Sequence, residues 1–163
     1  MTLTNEEAGA LALFALLSGT ALLVIALIYY IVRVIAQWRI FKKAGEPGWK
    51  SLIPIYAEYV LCKIVWNTNY FIKVVIVALI MGVCNYLLPQ DGATSYTTVQ
   101  YIAAVIDLVA AIYVLVLHFK FSMRYARAYG KGTGFGIGLF FLPHIFQLIL
   151  GLGASEYVGN QAD

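Results

Sequence analysis

Few side chains in this sequence could do chemistry, and they stand apart from one another. Asp107 is an acidic residue set inside a long apolar run. His118 follows eleven positions later, which on a helix is about 20° round the axis and roughly 16 Å along it, on the same face but out of contact. His144 and Gln147 lie three apart in a second apolar run and share a helix face, and Pro143 before them frees the carbonyl of Leu139. An acid within a membrane could serve a proton relay or an ion site. An imidazole, an amide and a freed carbonyl on one kinked helix could hold a cation, a water or a polar substrate. The same residues also fit a structural role. A charge near mid-membrane costs at least about 2.5–3.5 kcal/mol unless it is partnered. An interhelical hydrogen bond in a membrane contributes on average about 0.6 kcal/mol.

Several chemistries are excluded by spacing. Gly130–Gly138 contains neither a P-loop nor G-x-G-x-x-G, and no strand precedes it. No G-x-S-x-G or H-E-x-x-H occurs. Two histidines without a nearby Cys, Asp or Glu cluster give no metal-site spacing, so neither metal nor cofactor is expected. Cys62 and Cys84 fall at different membrane depths and are read as buried thiols rather than a disulfide.

The elements that must position these residues are membrane helices. The chain has 163 residues, of which 62% are hydrophobic and only 12% charged, where soluble chains carry about a quarter. Its 11 basic residues fall in two blocks. One runs from Arg33 to Lys73 and includes Arg39, Lys42, Lys43, Lys50 and Lys63; the other is Lys120, Arg124, Arg127 and Lys131. Glu6, Glu7, Asp91, Glu156 and Asp163 lie outside both. Short Lys/Arg-rich connections stay in the cytoplasm. The net charge of +3 therefore points to anionic lipid headgroups, not nucleic acid. An uncharged run of 25 residues, Ala8–Val32, is long enough to span a bilayer and too long for a signal-peptide core.

The expected fold is all-α: a single integral membrane domain over 1–163 with four transmembrane helices, at about 11–32, 70–88, 98–119 and 135–152, and both termini outside. Lipid satisfies no backbone hydrogen bond, so the spans must be helical. Pro89-Gln90-Asp91-Gly92 is turn chemistry joining the second and third spans. The first inner connection divides at Gly45-Glu46-Pro47-Gly48. Before that turn the first helix continues out of the membrane through Lys43. After it, about 51–66 is expected to be an interfacial helix on the cytoplasmic side, with Leu52, Ile55, Tyr56, Tyr59, Val60 and Ile64 at helical spacing and Glu58 and Lys63 towards water or paired. Trp38, Trp49 and Trp66 all fall in this connection, as residues at headgroup level do. Lys120, Arg124, Arg127 and Lys131 form one stripe if the third helix continues; Gly130-Lys131-Gly132-Thr133-Gly134 ends it. Together with Arg39, Lys42 and Lys43 the stripe could bind an anionic lipid headgroup or an acidic partner, or simply set topology. Gly134 and Gly138 make a G-x-x-x-G that permits close helix approach.

The stretch Trp38-Arg39-Ile40-Phe41-Lys42-Lys43-Ala44-Gly45-Glu46-Pro47-Gly48-Trp49-Lys50-Ser51-Leu52-Ile53-Pro54-Ile55-Tyr56 resembles a block of the form IFxKAGxPGWxxLIPxY found in a family of small, uncharacterised bacterial integral membrane proteins. Leu142-Pro143-His144-Ile145-Phe146, followed by Leu150-Gly151-Leu152-Gly153, is similar to that family's final span. The resemblance implies a bacterial inner-membrane location and no transferable catalytic residue. Some members are labelled signal peptidase I. Such enzymes need a serine activated by a lysine on the outer face. On the expected topology the outer serines Ser95 and Ser155 have no lysine. The expected function is therefore non-enzymatic: an accessory or binding subunit of a membrane complex, or a homo-oligomer. The alternative is a small transporter or channel using Asp107, His144 and Gln147.

Overall fold

The computed structural model describes residues 5–88 and 97–160. Among these every regular element is helical: α1 (Asn5–Lys43), a 3-10 turn (Gly48–Leu52), α2 (Pro54–Val65), α3 (Thr68–Leu87), α4 (Thr98–Ala128), α5 (Thr133–Phe141) and α6 (Pro143–Leu152). Three are long and apolar enough to cross a membrane: Leu13–Lys43 within α1, then α3 and α4. The proposed turn at Pro89–Gly92 lies outside the described residues.

Helix ends follow from local chemistry. Gly45 adopts φ 76°, so the Glu46 N–H turns back to the Phe41 carbonyl at 2.9 Å and closes α1. Gly130 at φ 66° does the same for α4, with the Lys131 N–H reaching Ala126 O at 2.9 Å. α4 starts with a capping box, the Thr97 N–H donating to Gln100 Oε1 at 2.9 Å.

The expected fourth span, 135–152, is not one helix. Pro143 breaks it at Leu142 into α5 and α6, and the two halves fold back on each other. α5 runs antiparallel to α4: Gly136 sits against Met123 and Ala126, while Phe140 lies 5.5 Å from both His118 and Phe119 between ring centroids. α6 then runs parallel to α1: His144 meets Tyr29 at 5.4 Å and Gly151 meets Ala36. Phe135 on α5 packs edge-on against Phe146 on α6 at 4.8 Å. With 9 and 10 residues, each arm is about 15 Å long, half of a hydrocarbon core of about 30 Å. The result is a helical hairpin whose start and finish lie at the same end of the molecule.

The described chain after the hairpin does not return to the end where α1 begins. Residues 153–160 return to the end of the molecule where α1 and α4 finish. The Val158 N–H bonds Ala128 O at 2.9 Å, Tyr157 OH donates to Ile64 O at 2.7 Å, and the Asn160 amide donates to Trp66 O. This tail and the start of α1 stand at opposite ends of α1.

The core sits at the same end. Ile40, Phe41, Val60, Leu61, Val65, Tyr125, Tyr129, Leu139 and Leu150 are fully buried there, drawn from α1, α2, α4, α5, α6 and the loop after α4. Tyr129 OH pins α1 by donating to Ile40 O at 3.1 Å. α2 contributes Ala57, Val60, Leu61, Cys62, Ile64 and Val65. The expected stripe is thus only partly buried: Val60 and Ile64 enter the core, while Leu52, Ile55 and Tyr56 are exposed. The buried face is centred on Leu61, where α2 meets α3 and α4.

Candidate functional site

The polar residues of the apolar runs are not gathered into one site. Asp107 Oδ1 accepts from Asn85 Nδ2 at 3.2 Å, a pair between α3 and α4. Asn85 also donates to its own helix at Met81 O, 3.0 Å. His144 and Gln147 do come together, as their spacing requires, in a cleft of about 20 Å³ with Tyr29, Arg33 and Ala36. That is room for about one water molecule. His118 lies elsewhere, tilted against Phe140, and its carbonyl accepts from Ser122 Oγ at 3.0 Å. Asp107 belongs to the α3–α4 pair and His144 to the α1–α6 pair. Among the described residues no three His, Cys, Asp or Glu side chains converge as metal ligands do.

The expectation for Ser155 is corrected. Expected to have no lysine near it, it is buried beside Lys43, Oγ to Nζ 3.3 Å. The Lys43 ammonium donates to Leu150 O and to Gly153 O, the latter at 2.7 Å. Ser155 Oγ donates its proton to Leu150 O at 2.9 Å. As a cation, Lys43 caps the carbonyl end of α6. Sequence spacing carries no signal for this contact, because 107 residues separate Lys43 from Leu150.

The basic residues named as candidates have different partners. Lys43 is occupied by the cap. Lys42 lies 5.9 Å from the Trp38 ring. Lys120, Arg124 and Arg127 share a groove of about 330 Å³ with Trp66, Phe119 and Met123. Arg124 is stacked on the Trp66 indole at 4.6 Å, and Trp66 stacks on Tyr70 at 5.2 Å. α2 brings Trp66 to its end, and α4 presents the three cations on successive turns of one face. The cations were legible in the sequence as a stripe; the tryptophan beside them was not.

Glu46 and Glu58 are committed to other cations. Glu46 accepts from Lys50 at 2.6 Å and Lys63 at 3.1 Å, and Glu58 pairs with Arg33. The hydrogen bonds from Lys50 and then Lys63 hold the Glu46 carboxyl below the ordinary glutamate range. Burial, with the Glu58 charge second, pushes the Cys62 thiol up to about 12, which makes it a poor nucleophile.

Residues 49–160 match the model of DUF5684, a family of unknown function. The chain belongs to DUF5684. The matched part runs from Trp49 in the 3-10 turn through α6 to the returning tail, and leaves α1 outside it. It therefore takes in the groove, the hairpin and the Asp107–Asn85 pair. No curated protein and no solved structure matches the chain.

Proposed function

We propose that this chain is a small, non-enzymatic binding subunit of the bacterial cytoplasmic membrane. On this reading α1, α3 and α4 cross the bilayer and α5–α6 re-enters from the cytoplasmic side. α2 lies at the inner interface, with Ile55 and Tyr56 towards lipid. The N-terminus is outside and residue 160 inside, because the basic end is the cytoplasmic one. The basic end faces anionic lipid.

One observation carries the reading. The molecule is packed at its basic end and open in its apolar half: the most apolar stretch of α1 is 0% buried, and Leu16, Leu17, Leu22 and Leu23 are each more than 60% exposed. Lipid covers such a face as readily as protein does, and a helix with no partner of its own along its apolar half leaves room there for a second copy or another membrane protein. Asp107 is hydrogen-bonded on the α3–α4 pair and His144 meets Tyr29 on the α1–α6 pair; the two do not converge, which favours a binding role over a transporter or channel built on Asp107, His144 and Gln147. The capping geometry of Lys43 and Ser155 favours a non-catalytic chain.

Single cysteines placed around α1, for example Leu16→Cys, Leu17→Cys and Leu22→Cys, test this in native membranes. A crosslinked product on one face of the helix is expected. Monomer at every position, with the protein folded, would contradict the subunit reading.

A further inference from the structure

We propose that the groove between the end of α2 and the basic end of α4 binds the phosphate headgroup of an anionic phospholipid. Lys120, Arg124 and Arg127 stand at i, i+4 and i+7 of one helix and line a single recess of about 330 Å³, so a phosphate entering that recess meets a wall carrying three cations. Trp66 holds Arg124 against its indole face at 4.6 Å, which fixes the guanidinium before a ligand arrives. No carboxylate lines the recess among the described residues, and Lys120 and Arg127 have no ion-pair partner there. The remaining wall is apolar, from Phe119 and Met123. Leu115 and Val116, 56% and 47% exposed, continue that wall along α4 away from the basic end. A soluble anion would use only the cationic floor. A phospholipid uses both parts, its phosphate on the cations and its acyl chains along α4, and that continuity selects the lipid as the ligand. The proposal rests on the reading that α4 crosses the membrane.

The test uses the purified full-length chain in nonionic detergent. It is incubated with phosphatidylglycerol and phosphatidylcholine together, with and without millimolar inorganic phosphate, and retained lipid is counted by native mass spectrometry. One phosphatidylglycerol should be retained in preference to phosphatidylcholine, and inorganic phosphate should not displace it. Lys120→Gln and Arg127→Gln should each weaken retention on the order of tenfold, the loss of one charge-assisted bond. Both side chains are exposed, and helicity measured by circular dichroism should stay at the wild-type level. Lys73→Gln, which removes a charge outside the groove, should change retention less than about twofold. Equal retention of the two lipids, displacement by inorganic phosphate, or an equal loss in Lys73→Gln would each overturn the proposal. The wild-type comparison depends on no variant, and none of these readings depends on which side of a cell membrane the groove faces. Failure here is therefore separate from failure of the topology.

Discussion

Replacing Gly151 with alanine should be one of the most costly single-methyl changes in the chain. A Cβ built on Gly151 lies 2.6 Å from Ala36 O, 2.9 Å from Ala36 Cα and 3.0 Å from Ala36 C. All three are backbone atoms of α1, so no side chain can swing aside. To restore ordinary contact at about 3.5–4.0 Å, α6 must move away by roughly 1 Å. That movement pulls on Leu150, which is fully buried, and on the bonds from Lys43 to Leu150 O and Gly153 O. Overpacking of this kind costs typically about 1–3 kcal/mol, and weakening a charge-assisted bond adds to it, so a loss of about 2–4 kcal/mol is expected. Gly134→Ala is the control in the same hairpin. Nothing lies within 4 Å of its Cβ, and alanine in a helix is favoured over glycine by roughly 0.5–1 kcal/mol. The two variants should therefore move in opposite directions in a denaturing-detergent titration followed by circular dichroism. If Gly151→Ala proves as stable as Gly134→Ala, α6 does not lie against α1 and the hairpin is wrong.

Other consequences follow from single contacts. Lys43→Met should lose about 2 kcal/mol of stability, since it removes an ammonium donated to two carbonyls, and a fluorophosphonate probe should fail to label Ser155 in either protein. Because Lys50 and Lys63 depress the folded Glu46 carboxyl, its stabilising effect is present above the ordinary glutamate range and is lost as pH falls through the lower folded value. Thermal melts should thus weaken in acid, and Glu46→Gln should remove that part of the pH dependence. The Cys62 thiol, raised to about 12, should resist alkylation near pH 8 in folded protein and react once the protein is unfolded. Asp107→Asn should leave proton or ion flux in proteoliposomes unchanged; flux in the wild type that this variant abolishes would favour the transporter reading.

Much of the scaffold was legible in residue order. The extension of α1 to Lys43 and the ends of α1 and α4 at Gly45 and Gly130 were signalled by glycine chemistry and by where the apolar runs stop. The hairpin was not legible. A 20-residue stretch that is apolar all round has the same composition whether it crosses a membrane or turns back half-way. Pro143 was readable as a kink, but whether a proline kinks or breaks a helix depends on what packs against each arm. Here Gly136 fits α4, Phe146 fills the space over Gly138, and Gly151 fits α1. Gly134, the other glycine of the G-x-x-x-G pair, faces open space. The absence of Lys and Arg after Lys131 suggested an external tail. The positive-inside bias says where basic residues stay, not where residues without them must go. Tyr157, Val158 and Asn160 bond instead to Ile64, Ala128 and Trp66, which holds the described tail at the end where α2 and α4 finish. Of the candidate site, the cationic stripe was visible because helical spacing is local. Trp66 beside Arg124 was not, because 58 residues of chain separate them.

Which side of the membrane residue 160 occupies is the direct test of the hairpin and of the functional reading built on it. A fluorescent reporter that matures only in the cytoplasm, and an enzyme active only outside it, should be fused in turn after Asp163 of the full chain in bacterial cells. Fluorescence from the first and silence from the second are expected, since α5 and α6 enter and leave at the basic end. External enzyme activity with a dark fluorescent fusion would mean that 133–152 crosses the bilayer, contradicting the three-span arrangement.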